Sequence, residues 1–161
     1  MKRLRTHIAS FCIALLAPAQ IAGAQDGDAV LSVVIDAENT MQFALEDLDA
    51  IPATTVVTSN DFVDEAAVFT GPRLLEFLET LDTDLPTSIM LTAINDYTTE
   101  IPIEEIIKYN VILALRKNGT ELSRRDKGPI WVIYPMSEHP ELRDSIFNER
   151  LIWQVVKMEY R

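Results

Sequence analysis

The stretch ILALRKNGTELSRRDKGPIWVIYP, residues 112–135, decides the fold. Two runs of large apolar residues, Val111 to Leu115 and Ile130 to Tyr134, bracket a polar segment containing Asn118-Gly119 and Gly128-Pro129. A short continuous apolar run has no solvent face, so each suits a strand covered on both sides rather than an edge. Asn-Gly between strand-like residues favours a two-residue hairpin turn, which needs positive φ. The stretch therefore predicts a buried strand, a tight hairpin, a charged turn and a second buried strand. It also raises a functional question. Arg124, Arg125 and Lys127 either grip an anionic ligand or form a solvated turn that delivers the strand into the core.

Strand-like and helix-like segments alternate on either side. Val30 to Ile35 is β-branched and apolar, and Thr40 to Phe43 can pair back on it across the polar turn Asp36 to Asn39. Ala44 to Asp49 fits one helical turn ending before Pro52. Thr54 to Ser59 reads as a strand, followed by an acidic loop. Thr70 can then cap a helix with Leu74, Leu75, Phe77, Leu78 and Leu81 on one face. Ile89 to Ala93 is a further strand. Pro102 opens a short helix with Glu104 and Glu105 in its first turn and Lys108 near its end, the order the helix dipole favours. Leu151 to Tyr160 closes the set as a strand, after a polar loop containing His139. The expected class is α+β, a mixed β-sheet core with short helices packed on it.

Residues 1–24 read as a signal peptide: Lys2, Arg3 and Arg5 precede an apolar run from Ile8 to Ala17, and Ala22-Gly23-Ala24 offers a small-residue cleavage site. Residues 25–161 are then one domain, large enough to bury a core without staples. Cys12 lies in the expected signal, so the remaining chain has no cysteine, which excludes disulfides, thiolate-bound metals and a cysteine nucleophile. The signal carries three basic and no acidic residues, so its loss takes the net charge from −11 to −14. Such a surface repels nucleic acid and anionic lipid. No apolar run is long enough to span a bilayer, so no membrane insertion is expected. The expected location is periplasmic or secreted.

Enzyme chemistry has little to build on. Beyond the signal there is one histidine, His139, to serve as a catalytic base, and no glycine-rich phosphate loop. Asp82-Thr83-Asp84 and Asp61 to Glu65 lack the pattern of a calcium loop. The sequon Asn118-Gly119-Thr120 is accounted for by the hairpin turn. Two places stand out. Asn95-Asp96-Tyr97 follows a strand and could line a ligand crevice, or could be a turn in which Asn and Asp bond their own backbone. Arg124, Arg125 and Lys127 are the densest basic cluster in an acidic chain and suit an anion, or balance nearby carboxylates.

Taken together, FTGPRLLEFLE (69–79), LTAINDY (91–97), residues 112–135 and LIWQV (151–155) resemble the oxidoreductase molybdopterin-binding domain, the fold of sulfite oxidase and its bacterial relatives. The resemblance covers about Val30 to Tyr160 and is nearest to short, secreted, single-domain members. It implies a site bordered by Asn95, Asp96 and Tyr97, with Arg124, Arg125 and Lys127 just before a strand that lines it. It also exposes departures. Thr58 or Ser59 stands where catalytic relatives carry a molybdenum-binding cysteine, Trp131 where they carry an arginine, and Ile152 where they carry a lysine. A neutral hydroxyl is a poor replacement for a soft anionic sulfur. The resulting expectation is a non-catalytic binding or sensory domain for a small anionic ligand or an exported partner protein, with no cofactor. The alternative is a molybdopterin-dependent oxidoreductase or electron-transfer subunit that holds its cofactor without a cysteine. A third reading, an interaction module using an exposed Trp131 or Trp153 surface, competes with both tryptophans being core.

Overall fold

The computed structural model describes residues 29–161; the expected signal peptide, Cys12 and the loose end at Gln25 to Asp28 lie outside the described residues. Alternation of apolar and polar side chains sets the first layer. In β1 (Ala29–Val34) Leu31 and Val33 are buried, and β2 (Thr40–Ala44) pairs antiparallel with it. The Asp36 carboxylate closes the intervening turn by accepting from the backbone N–H groups of Glu38 and Asn39 at 2.8 and 2.9 Å. β5 (Ser88–Ala93) directs Ile89, Leu91 and Ala93 inward, and with β6 (Thr98–Pro102) and β11 (Val155–Tyr160) it completes a five-stranded sheet of order β2-β1-β11-β5-β6. Only the β1–β11 pair is parallel.

A second sheet is built on the hairpin of β3 (Ala53–Asn60) and β4 (Val63–Pro72), extended by the small hairpin of β8 (Arg116–Lys117) and β9 (Thr120–Glu121). Asn118 and Gly119 have φ of 52° and 78°, the positive values their hairpin turn demands. Between the sheets, β7 (Ile112–Ala114) and β10 (Trp131–Ile133) pair antiparallel. Side chains on this ribbon alternate between two cores. Leu113 and Val132 join the larger core, while Ile112, Ala114, Trp131 and Ile133 pack with Val56, Ala67 and Phe69 of the β3–β4 hairpin. That two-sided covering is why residues 111–115 and 130–134 show no polar alternation. The layers approach closely: a side chain on Gly71 would meet the Leu113 carbonyl oxygen at 1.9 Å, and one on Gly128 the Leu122 carbonyl oxygen at 1.9 Å.

Among the described residues four short helices cover the larger core: α1 (Leu45–Asp49), α2 (Leu74–Glu79), α3 (Ile103–Tyr109) and α4 (Ser145–Glu149). In α2, Leu74, Phe77 and Leu78 are buried, as the helical spacing predicts. Four local readings need correction. Thr70 does not cap α2; it lies inside β4 opposite Thr55, and Arg73 is the N-cap without a side-chain bond. The expected acidic loop is mostly the start of β4, whose Asp64 and Glu65 face solvent while Val63, Ala67 and Phe69 face in. β6 escaped notice because its one fully buried apolar residue is Ile101. Finally, the last strand begins at Val155, not Leu151. Residues 151–154 instead run beside β10, where the Val132 N–H donates to the Ile152 carbonyl at 2.9 Å.

Candidate ligand-binding site

A cleft of about 310 Å³ opens where the β3–β4 turn, the β5–β6 turn and the segment from α4 to β11 meet. Phe62 comes from the first turn, Asn95 and Tyr97 from the second, and Asn148, Glu149, Leu151, Ile152 and Trp153 from the third, with Ala93 among the lining residues. Phe62 meets Trp153 edge-on at 4.8 Å between ring centroids. Tyr97 donates its hydroxyl proton to the Glu149 carbonyl at 2.8 Å, joining the β5–β6 turn to α4. Partial burial, with the Glu149 carboxylate nearby, raises the Tyr97 phenol above its ordinary pKa, so it acts as a neutral donor.

Asn95-Asp96-Tyr97 has the turn geometry of one sequence reading, and two of its three residues line the cleft. It is a turn, in which the Asn95 side chain accepts from the Tyr97 N–H at 3.3 Å and the Asp96 N–H donates to the Ala93 carbonyl at 3.0 Å. Asn95 and Tyr97 also line the cleft, whereas Asp96 is exposed at φ 63° and is not part of the lining. The basic cluster does not reach this cleft. Arg124 to Asp126 form a single 3-10 turn, and Lys127 follows in the left-handed region at φ 68°. Arg125 and Lys127 border a separate groove of about 240 Å³ with Lys117 and Trp131, while Arg124 borders a smaller hollow with Gly128, Pro129 and Gln154. Five of the six expected site residues are thus spread over three depressions, and Asp96 lines none of them.

Two tryptophans separate cleft from groove. Trp131 is 1 % exposed, donates its indole N–H to the Leu151 carbonyl at 3.0 Å, and packs edge-on against Phe69 at 5.3 Å. Trp153 is half-buried and forms the cleft wall. The rings meet edge-on at 6.3 Å, and the Lys127 ammonium sits over both, 5.1 Å from Trp131 and 5.5 Å from Trp153. Trp131 is core, so it offers no interaction surface.

Thr58 is fully buried at the end of β3. Its hydroxyl accepts from the Ser137 N–H at 3.0 Å and lies 3.2 Å from the Ser137 hydroxyl, which in turn accepts from the Ser59 N–H at 3.2 Å. This pair fastens the β3–β4 hairpin to the segment after β10. No group of three or more histidine, cysteine, aspartate or glutamate side chains placed to hold a metal occurs among the described residues. Phe62, Asn148 and Glu149 went unnoticed in the sequence. Phe62 alone gives a hint, as an isolated aromatic within an acidic run.

The family model for the oxidoreductase molybdopterin binding domain matches residues 24–138. The chain belongs to that family. Among solved structures it is similar to the sulfane dehydrogenase SoxCD from Paracoccus pantotrophus, with a TM-score of 0.59 and 15% identity, over 81% of this chain and 37% of that one. The chain thus spans little more than a third of that protein's length, and at this identity the likeness establishes the fold alone. No curated protein matches it. Family and fold together make this a domain of the oxidoreductase molybdopterin-binding type, with the α+β architecture expected from its sequence.

Proposed function

We propose that the chain is an exported, non-catalytic binding domain that keeps the family's scaffold and has exchanged its ligand. The observation that carries this is Thr58. Where the resemblance places a metal-binding thiolate, at Thr58 or Ser59, this chain has only neutral hydroxyls, and that of Thr58 is committed to Ser137 inside the core. The donor set elsewhere agrees. The cleft walls carry no lysine, arginine or histidine, and Ile152 stands where the relatives offer a lysine. Trp131, at the arginine's place, spends its one polar atom on Leu151. These residues do not fit a phosphate-bearing metal cofactor.

The small anion expected from the sequence belongs to the groove instead. Lys117, Arg125 and Lys127 converge there, and none of them forms an ion pair within the described residues. The two carboxylates alongside are engaged, Asp126 by the Ser123 hydroxyl at 2.6 Å and Glu121 by Arg116 at 3.4 Å. An exported partner protein is the other occupant consistent with the sequence. Family membership favours a second reading, a molybdopterin-dependent oxidoreductase that retains its cofactor by other contacts. Metal analysis of the chain exported from cells that make the cofactor, with mass spectrometry of released small molecules, separates the two. Absence of molybdenum together with a bound organic molecule supports the binding domain, and stoichiometric molybdenum with a pterin supports the oxidoreductase.

A further inference from the structure

The cleft's chemistry differs from that of the groove and names a different class of ligand. Its walls are apolar and aromatic, and the charged residue among them is Glu149. An anion placed there would lose hydration without gaining a counter-charge. Lys127 touches the Trp153 ring but is not among the lining residues, and the neighbouring Arg150 is held by the Glu105 carboxylate. The volume of about 310 Å³ lies at the small end of organic-ligand sites, which run from roughly 300 to 1,000 Å³.

One residue of this wall, Asn148, carries a polar atom with no partner among the described residues. The Asn148 amide donates through Nδ2 to the Asp61 carboxylate at 2.7 Å. That bond fixes the orientation of the amide, because a flip would set its oxygen against the carboxylate. Oδ1 is the end left over, and among the described residues it is buried without a hydrogen-bond partner. An unsatisfied buried acceptor costs about 1–3 kcal/mol, a cost that a ligand donor in the cleft removes.

We propose that the cleft binds an uncharged, flat heteroaromatic molecule of one or two rings that offers an N–H to Asn148 Oδ1 and packs its rings against Phe62, Tyr97 and Trp153. Aromatic edges and faces supply the affinity, and the orphaned acceptor selects the donor. The inference rests on the binding-domain reading and gives that domain's cleft its ligand class.

The test is an NMR titration of the purified, nitrogen-labelled chain with indole, 1-methylindole and indole-3-carboxylate. Indole is expected to give saturable shifts at the Trp153 indole N–H and the Asn148 side-chain amide. 1-Methylindole, which lacks the donor, should bind about tenfold more weakly, and indole-3-carboxylate should also bind more weakly than indole. Asn148→Ala, checked for an intact spectrum, should erase the difference between indole and 1-methylindole. Trp153→Leu keeps an apolar wall and should weaken all three probes without touching Asn148. No saturable shift with indole, tighter binding of the carboxylate, or a donor preference that survives Asn148→Ala would each overturn the proposal. Such failure in a chain free of molybdenum sinks only the ligand class, whereas stoichiometric molybdenum sinks the binding-domain reading itself.

Discussion

The cleft and the groove on either side of the Trp131–Trp153 pair are lined by different segments of the chain and differ in chemistry. On one side Phe62, Tyr97 and Trp153 enclose an apolar cleft with a single orphaned acceptor. On the other, Lys117, Arg125 and Lys127 border a polar groove. The difference follows from the segments that line each side: the β3–β4 and β5–β6 turns with residues 148–153 on one, and β8, β9 and the 3-10 turn before β10 on the other.

The largest effect should come from breaking the partition. Trp131→Ala removes a fully buried ring and its bond to Leu151, and should cost about 3–5 kcal/mol in denaturant unfolding. Trp153→Ala removes a half-buried ring and should cost clearly less. If both substitutions cost the same, the assignment of one tryptophan to the core and the other to the cleft is wrong. Gly128→Ala sharpens the same point, since its methyl group must displace the Leu122 backbone, with an expected loss of about 1–3 kcal/mol.

Thr58→Val keeps the shape of the buried latch and removes its hydroxyl, leaving the Ser137 N–H unpaired. A loss of about 1–3 kcal/mol in unfolding free energy is expected. On the groove side, alanine at Lys117, Arg125 and Lys127 should abolish binding of inorganic phosphate in calorimetry. Stability should change by only about 0.5–1 kcal/mol, through the lost contact of Lys127 with the indoles. Unchanged phosphate affinity would reduce the groove to a solvated turn.

The smallest effect concerns alkaline pH. Burial, then the neighbouring Glu105 carboxylate, hold the Tyr134 phenol well above its ordinary 10.0. Above that value the unfolded chain releases this proton while the folded chain keeps it, so stability is complete below it and declines as pH rises further. Tyr134→Phe should make that decline shallower, as read from melting temperature against pH. An identical slope in the variant would show that Tyr134 does not contribute.

Much of this architecture was legible from residues with strong local signals. The unbroken runs at 111–115 and 130–134 announced the central ribbon, Asn118-Gly119 its neighbouring hairpin, and the leucine spacing after Gly71 the helix α2. β4 and β6 were not legible because their outward faces carry Asp64, Glu65 and Glu100, which read as loop when the partner strand is unknown. The site was half legible. Asn95 and Tyr97 could be placed beside a crevice, but Phe62, Asn148 and Trp153 meet only through contacts between residues some ninety positions apart. Nothing local marks such a contact. The basic cluster misled for the opposite reason. Proximity in sequence suggested one site, while the 3-10 turn and the left-handed Lys127 send the cations to different depressions.

The most direct test of the central claim is molybdenum per chain in protein exported from cofactor-competent cells, measured for the natural sequence and for Thr58→Cys. A non-catalytic binding domain predicts far less than one molybdenum per chain in the natural protein. It predicts no stoichiometric gain from the new thiol, because Trp131 and Ile152 still withhold the cations of the relatives. One molybdenum per chain in the natural protein would contradict the account.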